Sequence, residues 1–473
     1  MHEPTVVLYE LNEVPWTLVD EFVRREPRST IAGLLRRGTT WTTVNDDEAH
    51  LSPWRTWPTV HRSMYTADHN SWELGQDPAT FRGVDLWDAL DAAGMAVGLF
   101  GVLQSWPPRE FASGGFCVPD TFASDASTVP PGLSTFQDFN LRMTSENAFS
   151  SDAPLAPRDL ARVGVDLVRR GLTPDSARRL AWHLVQERRD ARHQAGRAMM
   201  QVLPAFDLYR GLLRTHRPRF SAFFTNHVAA MMHRYWGDAM PGYAEQFEYD
   251  ADPVYGSFVI DAMRLADRQL RRIERGLRPG DRLVVASSMG QGPIDHRVDV
   301  ADLLVLDDGP RLAAFLGCGP AVQRLAMHPM CSLEFHSDAS ATAAAATLAE
   351  VVDHVGRPLF DTIERQGATV LFRTSYEAVA EDDPRTARRT SAPEHTASYD
   401  ELGLAVRGRL GGSNTAYHVP EGILLDVPAQ GGDGADARTP LSVLDVAPSL
   451  LATVYGVDVP ASMKGGVDGS LFR

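Results

Sequence analysis

Three short apolar runs constrain what this chain can fold into. They are TVVLYEL at residues 5–11, RFSAFFTN at 219–226 and GDRLVVASS at 280–288. Each is rich in β-branched or aromatic residues and ends on polar ones. A strand with one face in water alternates apolar and polar residues, whereas a strand covered on both faces reads as a continuous apolar run. Between the runs lie helical patterns. VDLWDALDAAG closes on Gly94 and leads into the strand MAVGLFG, and VYGSFVIDAMRLADRQLRRIERGL precedes the third run. Such alternation predicts an α/β fold with a largely parallel sheet sandwiched by helices.

Ligands in such a sheet sit at the carboxyl ends of the strands. The residues that follow each run therefore carry the chemistry. They are Asn12 and Glu13 after the first, Asn226 and His227 after the second, and Ser288 to Gln291 after the third. On strand periodicity Glu10 and Asn12 share a face.

The remaining organisation is coarser. Residues 157–215 are helical and arginine-rich, and read as a helical insertion with solvated faces. Residues 300–410 contain the strands MCSLEFHS and ATVLFRTS and an Ala-rich helix, and read as a small α/β cap or lid insertion. The core would comprise 1–299 and 411–473. The formal charge of −15 repels phosphate backbones, so nucleic acid is not an expected partner. No run is long and apolar enough to span a bilayer, and no basic stretch followed by an apolar run opens the chain. A cytoplasmic protein without membrane contact is expected. Cys117, Cys318 and Cys331 are odd in number and fit no zinc spacing, so free thiols are expected.

Seven segments, in order, resemble the type I phosphodiesterase and nucleotide-pyrophosphatase family of the alkaline phosphatase superfamily. VVLYELNEVPW is similar to a first strand ending in Leu-Asp-Gly. SPWRTWPTVHRSMYTA is similar to the nucleophile segment, in which Thr precedes an aromatic residue and Pro. LWDALDAAGMAVGLFGVLQSWPP, FFTNHVAAMMHRYW, DRLVVASSMGQ, HVPEGILL and LDVAPSLLATVYGVDVPASMKG follow at matching places. The resemblance implies a hydrolase of phosphate or sulfate esters of a small anionic substrate. In that family two divalent ions stabilise the attacking and leaving oxygens, and a metal-bound hydroxyl becomes the nucleophile.

Carried over residue by residue, the resemblance places the nucleophile at Thr56 beside Asn12, and two metal-binding histidines at His233 and His418. Four ligands of the pattern are replaced: Asn12, Ala229, Ser288 and Met289 stand where it has Asp, Asp, Asp and His. That argues against a full two-metal site. A shifted site for zinc or another divalent metal would draw on Glu13, His227, His233, His418 or Asp295, with His50 and His61 flanking the nucleophile segment. Asn226, His227 and Gln291 are expected to face the substrate. Two further readings are a catalytically inactive relative that binds an anionic ligand or a protein partner, and a phosphoryl transferase.

Overall fold

The computed structural model describes residues 4–473 apart from 48, 50, 148–156, 297–301, 327–329, 375–382, 409–413 and 432–433. His50 lies outside the described residues. Six strands of the main sheet are β1 (Val6–Leu11), β2 (Thr39–Val44), β3 (Val97–Phe100), β4 (Gly115–Val118), β5 (Phe220–Thr225) and β6 (Arg282–Ala286). Leu424–Pro428 and Thr439–Ser442 complete an eight-stranded sheet. Across it the order is Thr439–Ser442, β2, Leu424–Pro428, β6, β1, β5, β3, β4.

The three apolar runs form the centre of this sheet. β1 lies between β5 and β6 and is parallel to both. All six of its residues are buried. Leu424–Pro428 departs from the parallel expectation, pairing antiparallel to both β2 and β6. Strands β2, β4 and Thr439–Ser442 went beyond the sequence reading. β4 is only four residues long, and Thr439–Ser442 contains Pro440, which an edge strand tolerates because it need not donate on its outer side.

Two apolar layers cover the sheet. On one face Val7, Tyr9 and Leu11 of β1 pack with Phe223, Phe206 and the helix Pro253–Glu274. On the other, Val6 and Leu8 pack with Trp57, Trp87 and the C-terminal Leu450 and Leu451. A third cluster, including Leu304, Leu333, Phe372 and Leu404, forms the centre of a separate body within 300–410. Its four-stranded sheet runs Phe360–Gln366, Thr369–Thr374, Met330–Phe335, Ala321–Arg324, antiparallel throughout. Among the described residues no helix is long and apolar enough to cross a membrane, and the three cysteines are free.

His227 belongs to the packing rather than to the polar cluster described below. Thr225 Oγ1 donates to its Nδ1 at 2.5 Å, and its Nε2 donates to the carbonyl of Ala262 at 3.0 Å. Burial depresses its pKa to about 4, so it folds neutral. The stability it supports is present above the unfolded pKa near 6.5 and is lost as pH falls toward 4, because only the unfolded chain takes up the proton readily. Stability is expected to drop by about 2 kcal/mol between pH 7 and pH 5 on this account. Denaturant titrations at the two pH values should show a smaller drop in His227→Gln, which keeps a donor for Ala262 and cannot charge.

Candidate active site

The end of β1 builds the site. The residue after Asn12 takes a left-handed backbone, with φ of 60° at Glu13. Glycine adopts that conformation freely, while a residue with a Cβ is strained there by about 1 kcal/mol. The chain carries that strain on a carboxylate 2% exposed to solvent. Strain of this kind persists where the surroundings over-determine it, and it concentrates at functional positions.

What surrounds Glu13 is a ring of nitrogen groups. Asn12 Nδ2 donates to its Oε1 at 2.7 Å, and Gln291 Nε2 donates to its Oε2 at 2.5 Å. The same Oε2 lies 3.0 Å from His233 Nε2 and 3.4 Å from His418 Nε2. Burial opposes ionisation of Glu13, but the charges of His418 and His233 outweigh it and hold the carboxyl well below its ordinary range. For His418, burial works against the charged form and Glu13 overcomes it, so its pKa is raised.

Both imidazoles are fixed from behind. His233 Nδ1 donates to the carbonyl of Ala416 at 3.1 Å, and His418 Nδ1 to that of Leu51 at 2.9 Å. With Nδ1 carrying the proton, a neutral ring presents a bare lone pair at Nε2. Two such lone pairs cannot crowd a carboxylate oxygen at 3.0 and 3.4 Å unless positive charge sits among them. Protons on the rings supply it, and so would a divalent cation. Backbone carbonyls holding the far nitrogen are also how metal-binding histidines are oriented. The ligand atoms of Glu13, His233 and His418 all lie within 4.8 Å of one another. Donors about 2.1 Å from one tetrahedral ion stand roughly 3.4 Å apart, so these residues fit a single ion.

The positions that would hold a second ion beside this one carry no charge; the other group whose ligand atoms lie within 4.8 Å of one another, Asp353, His354 and Asp383, belongs to the body within 300–410. Asn12, where the family pattern has a carboxylate, is consumed by protein contacts. Its Nδ2 also donates to Asn226 Oδ1 at 2.7 Å, and its Oδ1 accepts from Trp57 Nε1 at 2.8 Å. Ser288 and Met289 are fully buried, and neither carries charge. Thr56, on the helix Pro53–Arg62, is 2% exposed, with its Oγ1 2.8 Å from Ser288 Oγ. Asn226 stands at the N-cap of the helix His227–Ala239, yet its side chain caps nothing and accepts from Asn12 instead. A capping residue diverted in this way marks a place where local preference yields to the site.

The structure thus gathers Asn12, Glu13, Asn226, His233, Gln291 and His418 into one hydrogen-bonded group, with Thr56 and Ser288 joined to it through Trp57. Two sequence candidates fall outside it. His233 lies six residues beyond His227 on one helix, a rotation of about 240°, so the rings face different neighbours. Asp295 lies past the short strand Gly290–Pro293, beside His296 at 4.0 Å, and is not part of the Glu13–His233–His418 group. His61 is also diverted: its Nε2 meets Glu10 Oε1 at 2.7 Å, deep under the sheet. In the sequence Trp57 is legible only as the aromatic residue of the nucleophile segment, although an indole N–H beside the nucleophile candidate is a donor that burial obliges to find an acceptor.

No protein-family model and no curated protein matches the sequence. Among solved structures, the chain is similar over 98% of its length to human ectonucleotide pyrophosphatase/phosphodiesterase 5, at 10% identity and a TM-score of 0.43, covering 97% of that chain. The murine counterpart gives 10% identity and a TM-score of 0.41, covering 99% of this chain and 98% of that one. A mutant of the alkaline phosphatase PafA gives 10% identity and a TM-score of 0.43, covering 98% of each chain. These likenesses are remote, and they assign no chemistry to the side chains above.

Proposed function

We propose that this chain is a metal-dependent hydrolase of phosphate or sulfate esters, an alkaline phosphatase-superfamily enzyme of the phosphodiesterase type reduced to one metal ion. One observation carries the reading: two histidines, locked by backbone carbonyls, aim Nε2 at a single carboxylate oxygen of a strained Glu13. Glu13, His233 and His418 would hold zinc or another divalent ion. A bound ion of this kind withdraws charge from an ester oxygen and lowers the pKa of a hydroxyl beside it. The chain's own residues do the rest. Asn12 fixes the carboxylate, Asn226 fixes Asn12, and Trp57 ties Asn12 to the helix that carries Thr56. We assign Thr56 as the nucleophile.

The substrate would be a small anionic ester entering beside His233, whose side chain is 29% exposed and the most accessible of the three candidate ligands. The body within 300–410 would act as its lid. In support, Leu325 approaches Gly75 closely, and Tyr417, next to His418, feels the charge of Arg373. A second reading, an inactive relative that binds such an ester without turnover, is favoured by the burial of the Thr56 hydroxyl against uncharged Ser288.

Activity on a panel of phosphodiesters and sulfate esters, before and after chelation, tests the proposal. Hydrolysis of a panel member that chelation abolishes and one added equivalent of zinc restores is expected, with a fall and recovery of the melting temperature in parallel. Activity indifferent to chelation would reject the metal assignment. Thermal stabilisation by an ester with no turnover would favour the binding protein.

A further inference from the structure

We infer that Gln291 is the fourth protein donor to the cation, through its amide oxygen. The inference rests on the single-ion reading above and adds a ligand to it.

Gln291 is 1% exposed, and its Oε1 is buried without a hydrogen-bond partner. A buried amide oxygen left unpaired is costly, and each such group calls for an explanation. Its place in the fold is fixed. In the antiparallel pair of Gly290–Pro293 with Ala416–Val419, Gln291 stands directly opposite His418, so the two side chains share a face. The neighbouring Gly290 locks that register, because a Cβ there would lie 2.1 Å from the carbonyl oxygen of Glu421. The amide then touches Glu13 Oε2, the same atom both imidazoles approach, and reaches the carbonyl of Ala229 at 3.3 Å.

An amide has a donor and an acceptor end of nearly equal size, and half a turn about its last bond exchanges them. Without a cation, Nε2 faces Glu13 and satisfies the carboxylate. With a cation between Glu13 and the imidazoles, the oxygen end is the favourable one: the orphaned Oε1 gains the ion as its partner, while Nε2 gives up Glu13 and the Ala229 carbonyl, a cost that the ion's attraction for the oxygen must exceed. The donor set becomes two imidazoles, one carboxylate and one neutral amide. Such a set leaves a divalent ion with one net positive charge, where two carboxylates would cancel it. That suits an anionic ester, and the oxygen donors admit ions harder than zinc.

Two substitutions separate this role from mere support of Glu13. Gln291→Met removes both amide ends at similar length. Gln291→Glu keeps an oxygen and loses the donor. Calorimetric titration of chelator-stripped protein with Zn2+ and with Co2+, with the cobalt absorption spectrum recorded, reads both. Gln291→Met should weaken each ion by about ten- to a hundredfold at an unchanged stoichiometry of one. Gln291→Glu should bind at least as tightly as the unaltered protein and shift the cobalt bands. If Gln291→Glu binds as weakly as Gln291→Met, Gln291 only orients Glu13 and the inference fails. Undiminished binding by folded Gln291→Met overturns it equally. Failure of the unaltered, folded protein to bind either ion overturns the single-ion reading as well, so the two failures are distinguishable.

Discussion

Glu13→Gln is expected to lower affinity for the ion by at least about a hundredfold and to abolish metal-dependent hydrolysis. The substitution is nearly isosteric and leaves the left-handed backbone in place, so the change is one of charge. Loss of outer contacts to a metal ligand costs ten- to a hundredfold in affinity, and loss of the only anionic ligand exceeds that. The carboxylate also balances the two imidazoles. Without it, His233 and His418 have lost the anion between them, so the site should hold positive charge less well. Metal content after dialysis and activity on the responsive ester are the two readouts. Full metal occupancy in Glu13→Gln would show that the ion is held elsewhere.

Thr56→Ala is expected to reduce turnover by at least about a thousandfold while leaving metal content unchanged. Removal of a covalent nucleophile is among the largest single effects known for hydrolases. Thr56→Ser, which keeps the hydroxyl opposite Ser288, should retain turnover within roughly an order of magnitude. The pair of variants separates a chemical role from a structural one, because the methyl of Thr56 is lost in both. Unchanged turnover in Thr56→Ala would remove it as nucleophile and leave the ion-binding residues to account for the chemistry.

Much of the framework was legible in the sequence, for physical reasons. Central parallel strands must be apolar on both faces, so β1, β5 and β6 announced themselves, and the residues at their ends followed. The antiparallel Leu424–Pro428 was legible as a strand, but one segment carries no record of its direction. In the site, Asn12, Glu13, His233, Gln291 and His418 were recognisable as residues at strand ends or in matched segments. Their mutual contacts were not. The left-handed turn at Glu13 has no signature, because the residue that favours it, glycine, is absent. Histidine roles were the least legible. His227 stands directly at a strand end, yet its ring turns into the helix packing against it, while His233 turns toward Glu13. Which ring nitrogen is held, and by which carbonyl, depends on Ala416 and Leu51, backbone groups far along the chain that no side-chain pattern reveals.

The most direct test of the whole account is the metal content of the purified, zinc-reconstituted protein by elemental mass spectrometry, set against protein concentration. One equivalent per chain, lost in a His233→Ala, His418→Ala double variant, is the predicted result. Two equivalents would mean that a second set of ligands exists beyond Glu13, His233 and His418, and none would mean that protons alone hold these three side chains together.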